Sequence, residues 1–204
     1  MPESLEYLFG SKKKLRLIKT FILNADIPFT SKEISQRIKF PCKSVSSELL
    51  KMEKTGFIKS KKRKNRKFYF LNKNYIFYAD LKNIVAKCNI TPQSKTLNSI
   101  KKCGDIVCAV LTGIFVDDKK SMVDLFIAGE RLSKNRISKL IGDIEADIGR
   151  EIRYSVMGSE ELIYRSEMLD KFVTDILDED NIILVNRIRE KRKKYRKSLK
   201  NVYR

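Results

Sequence analysis

The stretch SVSSELLKMEKTGFI, residues 44–58, decides the fold of the first half of the chain. Val45, Leu49 and Met52 recur at intervals of four and three, which places them on one face of an α-helix. Gly56 is the residue type that closes a helix in a left-handed conformation. Phe57 and Ile58 then open an alternating pattern that continues as FIKSKKRK. A helix is therefore expected to end at a glycine and pass directly into a strand. Its outward positions are Lys43, Ser44, Ser46, Ser47 and Lys51.

Downstream, KFYFLN at residues 67–72 can pair with FIKSKKRK across a turn at Asn65. This hairpin would carry Lys61, Lys62, Arg63, Lys64 and Arg66 at its tip. Upstream, TSKEISQRI, residues 30–38, has Thr30 and Glu33 at the spacing of a capping box, with Ile34 and Ile38 four apart. Pro41 breaks the chain before the next helix. SKKKLRLIKTFILN, residues 11–24, sets Leu15, Ile18 and Ile22 against lysines on the other face, and IPFT is a short extended piece. Residues 77–87, FYADLKNIVAK, read as a connecting helix.

This order of elements, with SVSSELLKMEKTGFI as its centre, resembles the winged helix-turn-helix of bacterial and archaeal transcription regulators of the ArsR and MarR kind. The resemblance implies that the second helix of the pair meets base edges in the major groove and that the basic hairpin contacts the backbone.

Charge supports a polyanionic partner and shows where it binds. Of 204 residues, 44 are Lys or Arg and 25 Asp or Glu, with no His, for a net charge of +19. Residues 1–90 hold 21 basic and 7 acidic side chains, residues 91–186 hold 13 and 17, and residues 187–204 hold 10 and 1. The two ends suit a polyanion, nucleic acid or an anionic membrane, and the middle does not. The four cysteines show no paired spacing, and without His a zinc site lacks its usual ligands, so no metal or cofactor is expected. No apolar run approaches the ~18 residues of a membrane span, and the N-terminus lacks the order of a secretory signal. A cytoplasmic protein with no membrane contact is the expectation.

In residues 91–186, TPQSKTLNSIKKCG reads as a linker and helix, and DIVCAVLTGIF as a buried strand. SMVDLFIAG follows as a second strand, SKNRISKLIGDIEADIG as a helix, REIRYSVM as a third strand, EELIYRSEMLDKFVTDIL as helical and NIILVN as a last strand. The arrangement resembles the minimal nucleotidyltransferase domain. In active members a Gly-Ser pair grips phosphate, and two carboxylates one residue apart on the second strand, with a third from a later strand, hold metal. Here Gly113 is followed by Ile114, Met122 stands at the first carboxylate position, and Asp124 occupies the second. Arg153 or Tyr154 falls where the third belongs. A lone Asp cannot hold a metal pair, so a vestigial, non-catalytic domain is expected.

The fold class expected is thus α+β, in three parts. A winged helix-turn-helix with its connecting helix spans residues 1–90, a small mixed-sheet nucleotidyltransferase-like domain spans 91–186, and a basic helical tail spans 187–204. The tail is open to three readings: an arm on DNA or RNA, a solvated tail, or an anchor to anionic membrane. The whole pattern resembles a class of prokaryotic transcriptional regulators, which implies binding to double-stranded DNA; a homodimer is expected because two half-sites would help a serine-rich recognition helix reach useful specificity. The alternatives are a nucleotidyltransferase with unusual ligands and an antitoxin-like protein whose middle domain docks a protein partner.

Overall fold

The computed structural model describes residues 6–88, 94–118, 120–178 and 180–193. The chain is of the α+β class, with two separate sheets. Its contacts divide into two units, Met1–Asn89 with Gly142–Glu151, and Ile90–Ile141 with Ile152–Arg204.

The first unit runs α1 (Lys12–Leu23), β1 (Phe29–Thr30), α2 (Ser31–Ile38), α3 (Cys42–Lys54), β2 (Ile58–Arg63), β3 (Arg66–Leu71) and α4 (Tyr78–Cys88). Local chemistry sets each boundary. Ser11 caps α1 by accepting from the Lys14 N–H. The Thr30 and Glu33 side chains accept reciprocally from each other's backbone N–H at the start of α2, the predicted capping box. Lys39 ends α2 in the left-handed region (φ 56°), and Pro41, which lacks an N–H, becomes the N-cap of α3. Gly56 (φ 77°) donates its N–H to the Glu53 carbonyl and turns the chain into β2.

The sheet order is β1-β3-β2, all antiparallel, with Phe29 opposite Tyr69, Ile58 opposite Leu71 and Arg63 opposite Arg66. Lys64 and Asn65, both at positive φ (43° and 62°), form the two-residue link. That is the backbone twist a tight hairpin requires. Leu17, Phe21, Ile34, Ile38, Val45, Leu49 and Ile58 form the buried centre. Phe21 meets Phe29 and Phe57 edge-on, each at 6.3 Å between ring centres. Removing such a ring leaves a cavity and costs about 3–5 kcal/mol. Residues 142–151 join this unit through Asp147, which accepts from the Arg16 guanidinium at 2.6 and 2.9 Å, and through the Gly149 carbonyl, which accepts from Asn24 at 2.8 Å.

The second unit contains α5 (Ser94–Lys101), β4 (Asp105–Leu111), a 3-10 turn (Gly113–Phe115) and β5 (Leu125–Glu130). It continues with α6 (Lys134–Ile148, counted here to Ile141), β6 (Tyr154–Gly158), α7 (Ser159–Glu167), α8 (Lys171–Asp178) and β7 (Ile182–Asn186). The sheet order is β6-β5-β4-β7, with β5 and β6 parallel and the other pairs antiparallel. Interior β4 is buried from Ile106 to Leu111, which is why its sequence is continuously apolar. Val107, Val110, Phe126, Leu162, Val173 and Ile176 lie in one cluster.

Two boundaries differ from the sequence reading. The expected helix over residues 160–177 is broken into α7 and α8 around Leu169, whose φ of 54° is left-handed. The strand expected from Ser121 begins only at Leu125, because the Thr112 and Ser121 hydroxyls donate to the Val123 carbonyl and divert a group that a ladder would use. Residues 188–193 are helical, while the expected helix over the rest of the tail lies outside the described residues. Cys103 and Cys108 are buried thiols and Cys42 is an exposed one. No helix among the described residues is long and apolar enough to cross a membrane.

Candidate nucleic-acid interface

The outward face of α3 is cationic because its acidic residues are both turned to other tasks. Glu48 is buried, with Lys13 and Lys14 each 3.9 Å away. Glu53 accepts from Lys67 at 2.8 Å and from the Ser60 hydroxyl, which ties α3 to the hairpin. Those bonds, Lys67's first and Ser60's second, hold the Glu53 carboxyl below its usual pKa. What remains outward is Lys43, Ser47 and Lys51, exposed, with Ser46 half-buried beside them. No side chain caps the helix start at Pro41, so its first turn keeps the partial positive charge of a helix N-terminus.

Ser44 departs from the other four predicted positions. It is half-buried, and its hydroxyl accepts from Lys13 of α1 at 2.8 Å. Leu50, which the sequence reading did not single out, is 48% exposed on the same face. Its spacing of four from Ser46 and three from Ser47 carried that information.

At the hairpin, Lys61, Lys62, Arg63, Lys64 and Arg66 are all exposed, as are Lys59 and Lys67. Their environments separate them. Lys67 is held by Glu53 and lies 5.0 Å over the Tyr69 ring. Lys43, Lys51, Lys61, Lys62, Arg63 and Lys64 have no ion-pair partner among the described residues. The strand register sorts the hairpin into two faces. Lys59, Lys61 and Arg63 point one way, opposite Phe70, Phe68 and Arg66, while Lys62 and Lys67 point the other.

Gly113, Met122 and Asp124 of the second unit, the positions compared above with nucleotidyltransferase ligands, form a different kind of site. Alternation along a strand would put Met122 and Asp124 on one side. Because the strand starts at Leu125, Met122 is instead 69% exposed and Asp124 1%. The Asp124 carboxylate is fully engaged. One oxygen accepts from the Ile114 N–H at 3.1 Å and Arg153 Nη2 at 2.9 Å, the other from the Arg153 N–H at 2.8 Å and Arg153 Nε at 3.1 Å. Arg153 Nη1 also donates to the Ser121 carbonyl at 2.6 Å. Burial pushes the Asp124 pKa up, but the Arg153 side-chain and backbone bonds and the Ile114 N–H outweigh it, so it lies below the ordinary value.

Gly113 (φ 54°) admits this arrangement, since a Cβ there would stand 2.2 Å from the Asp124 oxygen. A guanidinium thus occupies the side of Asp124 from which a cation would be bound. Among the described residues no three His, Cys, Asp or Glu side chains gather where they could share a metal. No family model, curated protein or solved structure matches the chain.

Proposed function

We propose that the chain is a sequence-selective, duplex-DNA-binding transcription regulator of the cytoplasm, acting as a homodimer. In this reading the first unit is a winged helix-turn-helix. α3 enters the major groove, whose width of about 12 Å matches a helix, and Lys43, Ser46, Ser47 and Lys51 meet base edges or phosphates. The hairpin tip lies on the sugar-phosphate backbone, where its charges add affinity without sequence choice.

The observation that carries this reading is the segregation of charge within one unit. The acids of α3 are engaged by Lys13, Lys14, Lys67 and Ser60, while Lys43, Lys51, Lys61, Lys62, Arg63 and Lys64 have no ion-pair partner among the described residues. A merely solvated surface has no reason to sort its charges so.

For the second unit we infer a framework role without nucleotidyl transfer. Asp124 has both oxygens committed to Arg153 and the Ile114 N–H, leaving no lone carboxylate for a divalent ion.

The test is selection of the full chain against a random duplex pool at near-physiological salt, with Lys43→Gln/Lys51→Gln/Ser47→Ala in parallel. The reading expects an enriched motif of two related half-sites that the variant no longer enriches. Retention of duplex without enrichment would refute sequence selectivity.

A further inference from the structure

The hairpin has a second surface, which shares Lys61 and Arg63 with the proposed duplex contact and adds Lys59, Phe68 and Phe70 to them. On the outer face of the β1-β3-β2 sheet, Lys59, Lys61 and Arg63 project from alternate positions of β2, with Phe70 and Phe68 directly across from the two lysines on β3. Together they line an open cavity of about 560 Å³ in the first unit. Its one carboxylate, Asp26 on the rim, is taken by Lys73. Lys59, Lys61 and Arg63 have no ion-pair partner among the described residues. Phe68 and Phe70 are half-buried, whereas the alternating residues Tyr69 and Leu71 face inward and are buried in the core.

We infer that this cationic and aromatic sheet face binds single-stranded nucleic acid, with bases stacked on Phe68 and Phe70 and backbone phosphates on Lys59, Lys61 and Arg63. The chemistry is specific in two respects. Aromatic faces offered next to cations reward an exposed base, and a duplex keeps its base faces covered. The cations form a row whose members repeat about every 6.8 Å along the strand, so the row suits a chain of phosphates rather than one phosphate group. Two rings aligned with that row suit consecutive bases.

The proposal is independent of duplex recognition by α3. The experiment measures fluorescence anisotropy of the full chain with a labelled oligothymidylate, with a hairpin duplex of equal length, and with unlabelled thymidine monophosphate as competitor. Two variants accompany the parent protein. Phe68→Leu/Phe70→Leu keeps apolar volume and removes the rings, and Lys59→Gln changes an exposed residue that no fold contact uses.

Expected are single-strand binding by the parent, a weakening of about tenfold or more in the double variant, and a clear loss with Lys59→Gln, each with duplex affinity changed less than about twofold. Single-strand affinity unchanged by either variant overturns the proposal. Competition by the monophosphate at the same nucleotide concentration as the oligomer also overturns it, and marks a mononucleotide pocket instead. If the double variant loses both ligands, Lys59→Gln decides: selective loss of the single strand supports the proposal, and no loss rejects it. Single-strand binding without any duplex binding would uphold this inference while removing the duplex reading.

Discussion

Neutralising two hairpin lysines should change the salt dependence of duplex binding by a predictable amount, and neutralising a third should not. Each cation that displaces a counterion from duplex DNA adds about −0.9 to the slope of log affinity against log salt. Six cations, Lys43, Lys51, Lys61, Lys62, Arg63 and Lys64, have no ion pair among the described residues. If all six meet phosphate, the slope is about −5, and affinity falls roughly 10³-fold between 50 and 200 mM salt.

Lys62→Gln/Lys64→Gln should bring the slope to about −3.5. Lys67→Gln should leave it near −5, because Lys67 already has a carboxylate partner in Glu53 at 2.8 Å. Anisotropy titrations at four or five salt concentrations measure all three slopes. A drop for Lys67→Gln of about half that of the double variant would show that ion-pair state in the free protein does not decide which cations reach DNA. A slope near zero for the parent chain would remove the polyelectrolyte reading altogether.

Two further perturbations test the fold. Arg153→Met should destabilise the chain by about 2–3 kcal/mol at neutral pH. That is less than a fully buried pair would lose, because Asp124 keeps two backbone donors and Arg153 is 52% exposed. The folded pKa of Asp124 is depressed, so its stabilisation is present above the ordinary Asp range near 4 and fades as pH falls through the depressed value. Denaturant titrations of parent and variant should therefore converge only in acid, and a gap unchanged down to pH 3 would point to lost packing instead. Gly56→Ala should cost about 1–2 kcal/mol, purely from the left-handed backbone, since a Cβ there meets nothing within 4 Å. Gly56→Asn should cost less, and thermal melts in which Asn costs more than Ala would contradict that cause.

What could be read from the sequence was local. The α3 helix, its end at Gly56, the Thr30–Glu33 capping box and the hairpin turn at Asn65 depend on residues within four of one another. The details of the sites depend on partners far along the chain. Ser44 is claimed by Lys13, 31 positions away, and Asp124 by Arg153, 29 away. Lys67 and Lys64 read alike until Glu53 of the preceding helix distinguishes them. Met122 and Asp124 part ways because alternation assumes a ladder, and side-chain hydroxyls on the Val123 carbonyl postpone that ladder to Leu125. The acidic residues carried most of the missing information, since periodicity marks where a carboxylate lies but not which cation it will silence.

Glu53 has a wider consequence for any partner. It places a negative charge on a helix whose outward charges are otherwise cationic, and it joins α3 to both strands of the hairpin through Ser60 on β2 and Lys67 on β3. A polyanion touching both elements therefore meets them at a separation set by one carboxylate, as if by the jaws of a locked caliper. In the proposed duplex reading, selectivity for groove width would reside in a residue that never touches the groove.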